Sequence, residues 1–405
     1  MTTVRDSSVG DAASLRSAMV GELRGEAITS EAVTAAFTAV PRHLFAVGEP
    51  LRAAYEANRA LVIKRTTDGE AISSLSAAHI QAVMLEQAAV EPGMRVLEVG
   101  SGGYNAALLQ ELVGPSGKVV SVDIDPEIVE RARGCLAEAG YDRVEVVLAD
   151  AENGVPHGAP YDRIVVTAGA WDIPPAWVEQ LAPAGRIVVP LRLKGLTRSI
   201  AFDRTSSGLQ SSSYRLCGFV PMQGDGAGTE QRVPLSDGAD LWVEGEAGFD
   251  IEALREAVRS AQLERWSGAA FDLPDELELF LMTSAPGVVL LRASTEAAEQ
   301  GLFALSATRG VPALISGGSF AYRIKRPNEA TGGFESGVLA YGPEAEDVAA
   351  RYVDLLRRWA SDHRRRGAAR IQYIPRTPAT TTTTGSSRSS GLIVKRHGVV
   401  EVAWQ

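Results

Sequence analysis

Hydrophobic spacing divides the chain into three regimes. In residues 1–40 apolar positions recur at helical spacing, through 15–23 and 32–40, and Pro41 closes the run. Residues 76–90 show the same period and stop at Glu91-Pro92-Gly93, so 1–90 reads as a helical N-terminal part. Short apolar runs then alternate with helical segments. Strands are predicted at 95–100, 119–124, 144–148, 163–167 and 186–191, and helices at 104–113, 126–139 and 174–182. Pro126 stands at a helix start and Gly140 at its end, the usual asymmetry. Continuously apolar strands separated by helices predict a doubly covered parallel sheet, an α/β domain.

The rhythm changes after about residue 193. Residues 196–240 are rich in Ser, Gly and Asp, with short strand-like pieces. A helix follows at 251–263, a strand at 288–293 and a long amphipathic helix at 345–365. Residues 377–391 (TPATTTTTGSSRSSG) are of low complexity and read as a mobile loop. Residues 392–404 read as a hairpin turning near Arg396-His397-Gly398, and Gly332–Gly337 as a loop suited to lie near a ligand. The expected division is 1–195 for the parallel-sheet domain and 196–405 for an α+β domain.

Composition narrows the function. A 405-residue chain has length for two or three domains, and with 45% hydrophobic residues it is not a disordered chain. No apolar run reaches membrane-spanning length, and the polar N-terminus lacks the layout of a signal peptide, which together predict a cytoplasmic protein with no membrane partner. Cys135 and Cys217 form no CxxC and are expected as free thiols; no metal site is expected. Residues 351–405 hold 11 Lys/Arg against 3 Asp/Glu, so the rest of a chain of net charge −10 carries −18. Such an acidic body argues against a nucleic-acid partner, while the basic end suits an acidic one such as a peptide. The oligomeric state is left open.

The strongest chemical signal is Glu98-Val99-Gly100-Ser101-Gly102-Gly103 at the end of the first parallel strand. Glycines there let the backbone turn tightly and approach a ligand. Asp123 ends the next strand, 23 residues after Gly100, and Asp150 ends the third. Together they describe a nucleoside pocket along the carboxyl ends of the strands. Asn105 stands where the dinucleotide fingerprint has Gly or Ala, and no GxxxxGK[ST] occurs. Acidic groups around a glycine loop suit S-adenosylmethionine, whose sulfonium is cationic and which carries no phosphate.

These residues resemble a family. Ser76-Ala77-Ala78-His79, Val96–Gly102, Asp123, Asp150 and Ile164–Ala168 are similar to the motifs of protein-L-isoaspartate O-methyltransferases, as are Val40-Pro41-Arg42, Phe45 and Ile173-Pro174. The resemblance covers residues 14–195 and implies a class I, Rossmann-like S-adenosylmethionine-dependent methyltransferase domain. Carried over by position, it implies that Glu98, Gly100, Ser101, Gly102 and Gly103 form the cofactor loop. Asp123 takes the ribose, Asp150 and Ala151 line the adenine, and Ile124 and Thr167 complete the cofactor set. Ser76 is implied as the catalytic hydroxyl beside the substrate carboxylate, with Ser73, Ser74, Leu75, His79, Ala168 and Gly169 on the substrate side. Ser76 also reads as an N-cap and His79 as a helix-start residue. The glycine loop is one residue shorter than the family's GxGxGY form, and Ala78 replaces the family proline.

With its long C-terminal region, the chain most resembles the FxLD-system methyltransferases associated with ribosomally made modified peptides such as lanthipeptides, lasso peptides and graspetides. That resemblance implies methyl esterification of an aspartate in a precursor peptide, with later collapse to aspartimide or isoaspartate. The alternative is repair of isoaspartyl residues in damaged proteins. Either reaction uses a carboxylate already ionised at pH 7, which needs no base or metal.

Overall fold

The computed structural model describes residues 3–228, 230–244, 248–272, 274–330, 332–376 and 390–404. They divide into two units: Met1–Leu191 with Thr197–Gly228, and Arg192–Leu196 with Thr229–Gln405.

The first unit opens with α1 (Thr3–Leu23), α2 (Glu31–Ala39) and the single turn α3 (Leu51–Ala54). Ser30 caps α2 by accepting from the Val33 amide, and its own amide donates to Glu86. Next come β1 (Leu61–Arg65), β2 (Ala71–Leu75), α4 (Ala78–Ala88), β3 (Arg95–Val99), α5 (Tyr104–Val113), β4 (Lys118–Asp123), α6 (Pro126–Ala139) and β5 (Glu145–Leu148). The unit continues through β6 (Tyr161–Val166), α7 (Pro175–Gln180), β7 (Leu181–Leu193), β8 (Leu196–Thr205) and β9 (Gly208–Leu216). Phe37, Leu85, Leu108, Leu109 and Val129 belong to one buried core, which joins the N-terminal helices to those of the alternating region.

Strands run in the order β5-β4-β3-β6-β7-β8-β9. β3 pairs in parallel with both β4 and β6, β4 with β5, and β6 with β7. The order therefore reverses at β3, and the crevice at the carboxyl ends of β3, β4 and β6 is the switch point where such sheets bind ligands.

The second unit holds β10 (Glu230–Ser236), β11 (Ala239–Glu244), α8 (Ile251–Ala257), β12 (Leu263–Ala270), α9 (Pro274–Ser284), β13 (Val288–Ala293) and α10 (Thr295–Glu299). It ends with β14 (Val311–Ser316), β15 (Ser319–Asn328), β16 (Gly333–Tyr341), α11 (Ala345–Arg358), β17 (Arg370–Pro375), β18 (Ser390–Val394) and β19 (Gly398–Ala403). Seven strands form a sheet in the order β10-β11-β13-β14-β15-β16-β12, with every pair antiparallel. Leu241, Leu291, Phe320, Tyr322 and Tyr341 lie in its core. β19 pairs antiparallel with β17 and with β18, and β18–β19 is the hairpin expected at 392–404. Both cysteines are free.

Several expectations are corrected. Residues 61–75 form an antiparallel hairpin, not helix; two bulges break its alternation and hide the period of two. The first unit runs on to Gly228 rather than stopping at 195, because β8 and β9 extend the same sheet. The helix expected at 251–263 stops at Ala257, and Leu263 already starts β12. The helix expected at 345–365 gives way after Arg358 to a π turn over Trp359–His363. Gly332–Gly337 is not a ligand loop: from Gly333 it is strand β16, where Gly337 pairs with Trp266. Of the low-complexity run 377–391, residues 377–389 lie outside the described residues, and Ser390 and Gly391 begin β18.

A side chain at Gly337 would put its Cβ 2.3 Å from the Trp266 indole. Gly337→Val should therefore destabilise the protein by about 1–3 kcal/mol through overpacking, seen as a lower urea midpoint. An unchanged midpoint would show that the indole moves freely.

Candidate active site

The end of β3 is crowded, and that crowding builds the site. Gly100 has φ +95, a region only glycine adopts without strain. A Cβ there would lie 2.5 Å from Thr167 Oγ1. The Thr167 hydroxyl donates toward the carbonyls of Val99 (3.0 Å) and Gly100 (2.9 Å), riveting the end of β6 to the loop after β3. Gly103 has φ +81 and precedes α5; a Cβ there would lie 3.0 Å from Phe45 Cδ1.

Glu98 lies beneath this loop, fully buried. It accepts from Asn105 Nδ2 at 2.9 Å and from the Ser121 hydroxyl. The Ser121 hydroxyl also lies 2.9 Å from that of Ser101. Burial pushes the Glu98 carboxyl up to about 7, against the two hydrogen bonds and with help from the charge of Asp123. Asp123, at the end of β4, accepts from the amides of Ser101 (2.8 Å) and Asp125 (3.0 Å). Burial raises its pKa as well, opposed by those amides. Asp150 accepts from the Glu152 amide at 2.9 Å and the Asp225 amide at 2.8 Å. The Trp177 indole donates to the Ala151 carbonyl at 2.7 Å and fixes that turn.

These groups surround an open cleft. Of the predicted cofactor set, Gly100, Ser101, Gly102, Asp123, Ile124, Asp150, Ala151 and Thr167 line it. Of the predicted substrate set, Ser73, Ser74 and Ala168 do. The structure does not bring the others to the wall. Glu98 is a buried support for the loop, and Gly103 faces Phe45. Leu75 is buried, and Gly169 bridges to Pro221 through its backbone. His79 is the helix-start residue, with its amide on the Ala57 carbonyl at 3.0 Å.

Ser76, the expected catalytic hydroxyl, is also not among the lining residues. Its carbonyl is gripped by Arg42 Nη2 at 2.7 Å as the chain leaves β2 for α4. It is not the N-cap either; Ala77 holds that position. Arg42 is fully buried, donating also to the Ala54 carbonyl and to Gln81 Oε1, with its guanidinium over the Tyr104 ring.

The hairpin β1–β2 supplies one wall and is held from two sides. Lys64 pairs with Asp125 at 2.6 Å and with Glu127 at 2.8 Å. Gln223 Nε2 donates to the Ile72 carbonyl at 3.1 Å. Sequence reasoning missed Ile72, Asp125 and the strap of residues 220–223, all of which line the cleft. Asp125 had a readable signal, an Asp before Pro126 at a helix start. The strap had none, since it follows β9 at a distance in sequence.

Three aspartates and no Lys or Arg line the cleft. This donor set suits a cationic nucleoside without phosphate and disfavours a dinucleotide or nucleoside triphosphate. Residues 14–227 match the family model described as protein-L-isoaspartate(D-aspartate) O-methyltransferase. The chain belongs to that family. It is thus a carboxyl O-methyltransferase that uses S-adenosylmethionine. The protein-L-isoaspartate O-methyltransferase of Methanopyrus kandleri is 42% identical over 201 residues, 49% of this chain and 86% of that protein. Protein-L-isoaspartate O-methyltransferase 2 of Archaeoglobus fulgidus is 40% identical over 211 residues, 52% of this chain and 93% of that protein. No helix among the described residues is long and apolar enough to cross a membrane, and no group of three or more His, Cys, Asp or Glu among them is placed to hold a metal ion.

The buried Glu98 of this methyltransferase generates a pH signature. Its folded pKa of about 7 lies above the ordinary 4.5, so the native state keeps a proton that the unfolded chain releases. Stability from this group is present below about pH 4.5 and lost as pH rises towards 7. The stability difference between wild type and Glu98→Gln should fall by up to about 3 kcal/mol over that window in urea titrations. A difference independent of pH would refute the buried, protonated state.

Proposed function

We propose that this methyltransferase esterifies the side-chain carboxylate of an aspartyl residue in a dedicated, ribosomally made precursor peptide, as in the FxLD-type systems. The ester then collapses to aspartimide or isoaspartate. The observation that carries this reading is the larger segment of the second unit, Thr229–Gln405. It lies beyond the family match, which ends at residue 227. An enzyme committed to one peptide gains affinity and register from a docking unit, and we assign that role to residues 229–405.

The donor supplies an electrophilic methyl group. We assign Asp123 to its ribose hydroxyls, the 100–102 loop to its flank, and Asp150 and Ala151 to its adenine. The substrate carboxylate is the nucleophile as it stands, so the protein's task is to orient it and keep water away. Burying that anion is costly without hydrogen bonds. We assign this task to Ser73 and Ser74 on β2, the hydroxyl-bearing residues of β2 that line the cleft. The later step is chemistry of the peptide: the next backbone nitrogen attacks the ester carbonyl, the C–O bond to methoxide breaks, and methanol leaves with the amide proton.

Repair of isoaspartyl residues is the second reading. It is favoured by the 42% identity to a protein named for that activity.

A mass-resolved time course separates the two. Paired peptides that differ only in Asp or isoaspartate are supplied with S-adenosylmethionine, beside a candidate precursor encoded near the gene. The expected result is slow turnover of both generic peptides and rapid gain of a methyl, then loss of methanol, on the precursor. Rapid methylation of the isoaspartyl peptide alone would establish repair instead.

Two variants test the residue roles. Asp123→Ala should weaken S-adenosylhomocysteine binding at least about tenfold by calorimetry, since a charge-assisted pair to ribose is lost. Removing both hydroxyls, in Ser73→Ala with Ser74→Ala, should lower kcat more than Ser76→Ala does. The reverse ranking would return the catalytic role to Ser76.

A further inference from the structure

The hairpin β1–β2 contains two bulges of opposite strand. The pairing runs Val62–Ser74, Lys64–Ser73 and Arg65–Ala71, so Ile63 and Ile72 are each the extra residue. A bulge leaves backbone groups outside the ladder and re-aims the residues beside it. Ile72 immediately precedes Ser73 and Ser74, the two hydroxyl residues of the cleft wall. The carbonyl of this bulge residue is taken by the Gln223 side-chain amide at 3.1 Å.

Gln223 is part of a strap pinned at its other contacts. Gly169 donates to the Val220 carbonyl at 2.8 Å, and Met222 donates to the Gly169 carbonyl at 3.1 Å. Two residues beyond Gln223, the Asp225 amide donates to Asp150 Oδ2 at 2.8 Å. Between them Gly224 has φ +71, and a Cβ on it would lie 2.3 Å from that same Oδ2 and 2.6 Å from Ile124 Cδ1. The strap and the residues that follow it therefore touch the adenine end of the cleft through Asp150 and the serine wall through Ile72, with only Gly224 between the two contacting residues.

We propose that Gln223 is a positioning residue that couples occupation of the nucleoside end to the geometry of Ser73 and Ser74. A nucleoside that engages Asp150 and packs on Ile124 and Met222 fixes the strap. The fixed strap holds the Gln223 amide on the Ile72 carbonyl, and the bulge then has one conformation. Cofactor binding thus prepares the carboxylate site, and the preferred order is cofactor before peptide. The inference rests on the reading that the cleft takes S-adenosylmethionine with its adenine at Asp150.

Hydrogen exchange on the full chain with S-adenosylhomocysteine as probe tests this without a peptide. The probe should slow exchange of residues 72–76 about fivefold in wild type, the weight of one exposed hydrogen bond. In Gln223→Leu that protection should vanish, while probe affinity falls by no more than about the same fivefold, as reciprocity of the coupling requires. Gln223→Lys, which keeps a donor, should restore it; a merely structural role would not give that rescue. Equal protection in wild type and Gln223→Leu, or none in wild type despite binding, overturns the inference and leaves the proposed function standing. Failure of wild type to bind the probe overturns both.

Discussion

The close approach of Gly100 to Thr167 is the constraint on which the site depends. No side chain fits between them, and the Thr167 hydroxyl closes the gap by bonding two loop carbonyls. Once the loop turns there, the Ser101 amide meets Asp123, and the loop sits over Glu98. Glu98 in turn needs Asn105 from α5 and Ser121 from β4, because an unpaired carboxyl at that depth costs several kcal/mol. Strand β3, the strands on either side of it and the helix that follows are thus tied to one short turn.

Electrostatics divides the cleft by ligand charge. Its nucleoside end presents Asp123, Asp125 and Asp150, each holding backbone amides while still facing the cavity. Its β2 side is lined by the uncharged residues Ile72, Ser73 and Ser74. A cationic donor and an anionic acceptor can share so small a space only if the acids stay at the donor's end. The Lys64 bridge serves this separation, since it neutralises the outer face of Asp125 next to the hairpin that carries the serines.

The parallel-sheet core was legible because its buried strands are short, mostly apolar runs, and β3, β4 and β5 lead directly to Gly100, Asp123 and Asp150. Asp123, Asp150 and the glycine loop were legible as candidates because chemistry and strand ends coincide there. The hairpin at 61–75 was not legible, since its paired bulges erase the period of two. Neither was the strap at 220–223, whose position depends on where β8 and β9 bring the chain back. Glu98 was legible as an acid beside a glycine loop, while its burial beneath that loop, with Asn105 and Ser121 as partners, is visible only in the packing. Asn105, read in the sequence solely as an argument against dinucleotides, turns out to be the amide that holds Glu98 in place.

The two bulges of the β1–β2 hairpin cancel one another. Val62 faces Ser74 and Arg65 faces Ala71, so both strands advance three residues between these pairs despite the irregularity. An insertion or deletion of one residue inside either strand would uncouple the bulges and shift the register of one strand against the other. The turn that joins the strands is closed on itself, with the Thr66 amide on the Glu70 carbonyl and the Gly69 amide on the Thr66 carbonyl. A change of length in this hairpin is therefore best accommodated at residues 66–70. An engineer who wishes to graft a tag or a sensor near the cleft has that turn, and not the strands, as the place to do it.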